Sequence, residues 1–183
     1  GGVAMIGSAP LLAVALGVPL TLLLLSISSG LRRRMPVVLA LAPVPALAAA
    51  FADWESPLVL GNARFALTFA LDQPGAILLG TAAVLWILAG AYAARWLRDD
   101  ANAGAFVVCW LMTLTGSVGV FLAADLVGFY FLLAVLSVGA SGLVLQGDGP
   151  AALRAGGLYL GLALLAEAFL LAGLVLLAAA TPG

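Results

Sequence analysis

The chain has 183 residues, of which 65% are hydrophobic and 8% charged, with no histidine and a formal net charge of −1. Soluble domains carry about 25% charged residues, so the composition excludes an ordinary soluble globular protein. It also argues against nucleic-acid binding, which needs a basic surface. All seven basic residues are arginines, and the single Cys109 lies in an apolar run where it has no intrachain disulfide partner. The residues for a metal site are missing, so no metal and no cofactor are expected.

Apolar runs long enough to cross a bilayer recur along the chain, because about 20 helical residues span its hydrocarbon core. The fold class is therefore all-α, a polytopic transmembrane helix bundle of about six spanning helices, with the lipid bilayer as its surroundings. The chain opens on Gly1 rather than Met. It reads as processed, or as a piece of something longer, and as a single membrane domain over 1–183.

The first helix is expected over about 10–28, closed by Ser29-Gly30 and the run Arg32-Arg33-Arg34. A signal peptide would place its basic residues before the apolar part. The second is expected over 36–52, kinked or short because Pro43 and Pro45 lie inside it. Residues 53–73 form the longest polar interruption. Within it Leu58-Val59-Leu60 precedes Gly61-Asn62, and Phe65, Leu67, Phe69 and Leu71 then occupy alternate positions. Period-2 alternation after a Gly/Asn turn predicts a short β-hairpin at the membrane surface. The third helix follows over 74–96, opening on Pro74 and ending in the interfacial anchor Arg95, Trp96 and Arg98. The fourth is expected over 106–123, the fifth over 126–145 and the sixth over 151–180.

With six helices, Arg32–Arg34, Arg95, Arg98 and Arg154 all fall on one side, and only Arg64 falls on the other. The positive-inside rule makes the arginine side cytoplasmic, with both termini and the hairpin extracytoplasmic. The location is a bacterial inner membrane.

Three carboxylates are candidates for chemistry. Glu167 is near the middle of the sixth helix, where an ionisable side chain must be paired, hydrated or protonated. It reads either as a proton-relay group or as a neutral acid bonded to a neighbouring helix. Asp125, at the junction of the fourth and fifth helices, and Asp72, before the third, are further relay candidates. Helix capping also explains both. Gly157 and Gly161 form a Gly-x-x-x-Gly pair that lets another helix approach closely. Gly139 and Gly142 read as interhelical contacts, since no phosphate-loop pattern accompanies them.

The run Phe69-Ala-Leu-Asp72-Gln-Pro-Gly-Ala-Ile-Leu-Leu resembles the Leu-Asp-Gly-Leu-Ser opening in the antiporter-like membrane subunits of complex I. These subunits also occur in membrane-bound hydrogenases, formate hydrogenlyase and multisubunit cation/proton antiporters. Leu122-Ala-Ala-Asp125-Leu-Val-Gly-Phe-Tyr-Phe-Leu-Leu-Ala134-Val-Leu-Ser137 is similar to that family's junction of helices 4 and 5. Ala152-Leu-Arg154-Ala-Gly-Gly-Leu-Tyr159-Leu, continuing to Ala166-Glu167-Ala168-Phe169-Leu-Leu, resembles helix 6 of the hydrogenase-type members. The resemblance covers most of this chain but only the first part of a family member. It implies a proton- or cation-translocating module within a larger respiratory-type or antiporter complex, with other membrane subunits as partners. It implies no catalysis by the chain alone.

The chain departs from the family in two places. The family's proton-transfer Glu on helix 5 corresponds to Ala134, and its later lysines have no counterpart. Glu167 is the candidate replacement for the lost carboxylate. The alternative is a non-conducting scaffold that anchors a partner protein in the bilayer.

Overall fold

The computed structural model describes residues 8–28, 38–52, 57–62, 65–97, 103–147 and 149–180. Arg32, Arg33, Arg34, Arg64 and Arg98, on which much of the orientation reading rests, lie outside these. Among the described residues there are six helices and one two-stranded sheet. In chain order they are α1 (Ser8–Leu25), α2 (Val44–Ala50), β1 (Leu58–Asn62), β2 (Phe65–Phe69), α3 (Gln73–Trp96), α4 (Ala103–Leu122), α5 (Leu126–Val144) and α6 (Pro150–Ala180).

The fold is an all-α polytopic membrane bundle. Helices α3, α4, α5 and α6 are each long and apolar enough to cross a bilayer. The apolar stretch of α1, Pro10–Leu25, is shorter. The helix expected over 36–52 is reduced to the seven residues of α2. Pro43 has no N–H to continue a helical ladder, and Pro45 occupies the first turn of α2. Residues 38–43 form turns instead, held by Leu41 N and Ala42 N donating to Val38 O at 3.0 Å. That irregular backbone packs on α3 at Gly90, where a Cβ would meet Leu39 O at 2.7 Å.

Helix α4 is the centre of the bundle. Val107, Leu111, Leu114, Val118 and Leu122 repeat at helical spacing, and none is more than 2% exposed. Small residues bring α5 onto it. A Cβ at Gly116 would lie 2.5 Å from Leu136 N, one at Gly139 2.7 Å from Thr113 N, and one at Gly142 2.5 Å from Cys109 Sγ. Gly139 and Gly142 are thus interhelical contacts, as their sequence setting suggested. Thr113 and Thr115 turn their hydroxyls back to Cys109 O and Leu111 O of their own helix, both at 2.7 Å.

Between α3 and α4 runs an aromatic series. Trp86 meets Trp110 edge-on at 4.7 Å, and Trp110 stacks on Phe106 at 5.9 Å. Trp86 Nε1 donates to Ser117 Oγ at 3.2 Å, whereas Trp110 Nε1 is buried without a partner.

The hairpin pairs Leu58 with Phe69 and Asn62 with Phe65. Gly61 and Asn62, expected as the turn, therefore belong to β1. Alternation along Phe65–Phe69 set the strand correctly. The Gly/Asn pair alone gave no register, since both residues can also sit in a strand end. Gly149, at φ +91°, supplies the left-handed turn into α6, and Pro150 begins the helix.

Candidate functional site

Asp72 caps α3. Its Oδ1 accepts from Gly75 N at 2.8 Å, and the residue is exposed. Asp125 does more. Its Oδ1 accepts from Gly128 N at 2.6 Å, capping α5, while its Oδ2 accepts from Thr68 N of β2 at 2.8 Å. Ala70 N donates to Leu122 O at 2.9 Å and Ala124 N to Thr68 O at 2.8 Å. The α4–α5 junction thus continues the hairpin sheet, with Phe69 and Ala123 as a bridge pair. Both Asp125 oxygens are engaged by backbone donors in building the fold.

Glu167 is placed differently. Along α6 the residues withdrawn from the surface are Ala152, Gly156, Leu160, Ala163, Glu167, Leu170 and Leu174, three or four apart. They form one stripe. This stripe packs on α5. Glu167, 6% exposed, is its one ionisable residue, and its Oε1 is buried with no hydrogen-bond partner. A buried polar atom without a partner costs about 1–3 kcal/mol, more when charged. Packing alone gives no reason for a carboxyl group there.

The register of the α5–α6 pair says what lies opposite. Gly156 sits against the Leu145 side chain, so closely that a Cβ there would overlap it. The two helices follow one another across a short turn and run antiparallel. Eleven residues are close to three full turns, about 16 Å of rise, and return to the same face. Eleven residues on from Gly156 is Glu167, and eleven back from Leu145 is Ala134. On ideal helix geometry this count brings Glu167 to about the level of Ala134.

Gly157 and Gly161 stand about 80° and 120° around α6 from Glu167, at about 100° per residue. A Cβ at either would meet nothing within 4 Å. The close approach expected of this pair is not made by any described helix of this chain. Gly156, which the spacing rule passed over, is the α6 glycine that packs. Only 6% of the α6 span is buried, against 56% of α4.

Glu167 is thus the one candidate of the three whose carboxyl is not accounted for by backbone capping, and the structure does not bring Asp72, Asp125 and Glu167 together in one hydrogen-bonded group. Among the described residues no group of three or more His, Cys, Asp or Glu side chains gathers to hold a metal ion.

No protein-family model matches the chain, and no solved structure does. The chain is 31% identical over 121 residues, 64% of its length, to a probable K(+)/H(+) antiporter subunit from Rhizobium meliloti (strain 1021). It spans 22% of that relative's length.

Proposed function

We propose that the chain is a membrane subunit, or part of one, of a multisubunit cation/proton antiporter, and that Glu167 carries protons through it. The observation that supports this reading is the buried Glu167 Oε1, without a hydrogen-bond partner, on the stripe of α6 that packs on α5; counted along ideal helices it comes at about the level of Ala134. The family resembled carries its helix-5 Glu at the position of Ala134. A carboxyl supplied from α6 at the same level takes the place of one lost from α5. The similarity to an antiporter subunit supports the transport class. A respiratory role, as in complex I or a hydrogenase, rests on the resemblance of the quoted motifs alone. Partner membrane subunits supply the rest of the pathway, and the whole chain serves as one membrane domain of a bacterial inner membrane, with extracytoplasmic termini.

The chemistry asked of Glu167 is modest. It accepts a proton from hydrated groups on one side and releases it to the other, cycling between a neutral and an ionised state. Burial keeps bulk water away, so each proton must pass through the carboxyl. Asp72 and Asp125 are weaker relay candidates, since capping already occupies them.

The scaffold reading draws on the open Gly157–Gly161 face, which leaves room for a helix of a partner. Exchange of Glu167 for Gln in the assembled complex separates the two. A relay loses coupled transport with assembly intact, while a scaffold keeps transport and loses assembly when Gly157 or Gly161 is enlarged.

A further inference from the structure

Helix α5 is packed on two sides. Leu132, Leu136 and Gly139 meet Gly119, Gly116 and Thr113 of α4. At about 100° per residue, Ser141 stands about 140–180° around α5 from all three. It is nevertheless only 4% exposed. The described helix packed on α5 from that direction is α6, where Leu145 meets Gly156. Ser141 therefore lies in the α5–α6 interface. Ser137, one turn back and half-buried, stands about 40° from it on the same side.

The hydroxyl of Ser137 is unspent. Those of Thr21, Thr81, Thr113, Thr115 and Ser141 each donate to a carbonyl of their own helix. Ser137 makes no hydrogen bond to any described residue. Glu167 is in the same condition, with its Oε1 buried and unpartnered. Counted along ideal helices from the Leu145–Gly156 contact, the two residues come within about 5 Å of one another along the axis. Each Cα–Cβ bond in a helix tilts toward the N-terminus of its own helix. Because α5 and α6 run antiparallel, Glu167 tilts toward the turn that joins them and Ser137 tilts away from it. Each is thus tilted toward the level of the other.

We propose that Ser137 is the relay partner of Glu167, passing protons to and from it on the side of the α5–α6 turn. The proposal rests on the reading of Glu167 as a proton carrier. Ser137 Oγ accepts a proton from a hydrated group on its far side while its own O–H proton passes to the Glu167 carboxylate. The hydroxyl is restored and the carboxyl is left neutral. The reverse sequence discharges it. The two groups are not bonded to one another in this structure, so a change of the Ser137 rotamer or one bridging water closes the link. Ser141, one turn nearer the connection, donates to Val138 O at 2.8 Å and keeps its oxygen free to accept.

The test is cation-driven proton flux per assembled complex in proteoliposomes, for the native chain, Ser137→Ala, Ser137→Thr, Ser137→Val and Glu167→Gln. Threonine and valine have nearly the same shape, and only threonine keeps the hydroxyl. Ser137→Ala and Ser137→Val are expected to lower flux about tenfold or more, as loss of one hydrogen bond to a charged group does. Ser137→Thr is expected to keep most of it. Native flux in Ser137→Ala would overturn the proposal. So would equal losses in the Thr and Val variants, the mark of a packing effect. Glu167→Gln separates the two ideas. Flux abolished there but native in Ser137→Ala would strike out the role of Ser137 alone. Flux undiminished there would strike out the reading of Glu167, and the role of Ser137 with it.

Discussion

The carboxylate of Asp125 joins two parts of the chain that lie 57 residues apart, accepting the N–H of Thr68 in β2 at 2.8 Å while capping α5 through Gly128 N. Asp72 makes a single cap bond to Gly75 N. The two residues resemble each other in sequence and differ in structural weight. Asp72→Ala is expected to cost about 1 kcal/mol, the usual loss of a cap. Asp125→Ala also leaves Thr68 N unpaired and is expected to cost about 2–4 kcal/mol in all. Thermal unfolding of the detergent-solubilised variants compares them. Equal losses would contradict the clamp.

The α4–α5 contact leaves no room for side chains at its glycines. Gly116→Leu would drive carbon into the backbone at Leu136, where a Cβ already comes within 2.5 Å. Overpacking of this kind costs about 1–3 kcal/mol or more. Gly157→Leu meets nothing within the described chain and is expected to leave its thermal stability unchanged. Yields and melting temperatures of the two variants read this difference directly.

Trp110 offers a test of the aromatic series. Its ring is packed between Trp86 and Phe106, but its N–H is buried without a partner. Trp110→Phe keeps an aromatic ring and removes the orphan donor, so it is expected to be close to neutral in stability. Trp110→Ala opens a cavity and is expected to cost about 3–5 kcal/mol. A Phe variant as unstable as the Ala variant would show that the indole N–H is satisfied.

Much of the bundle was legible in the sequence. The starts of α3 and α5 follow from Pro74 and Asp125, each of which marks a helix start by a local mechanism that tertiary packing does not override, while the last helix, expected from 151, begins at Pro150. The shortening of the second helix followed from Pro43 and Pro45, although not its reduction to seven residues. What failed was whatever depends on a neighbour. Gly61-Asn62 has turn chemistry, but pairing with Ala66 and Phe65 decides where the turn falls. The depth of Glu167 could be counted along α6. Its place in the packed stripe, and the level it shares with Ala134, needed the α5 contact at Leu145.

The most direct measurement is cation-driven proton flux in proteoliposomes holding the assembled complex, compared for the native chain, Glu167→Gln, and the double variant Glu167→Gln with Ala134→Glu. Glu167→Gln is expected to abolish flux without loss of subunits, and a carboxyl restored at position 134 is expected to recover part of it. Undiminished flux in the Gln variant would contradict a relay through Glu167.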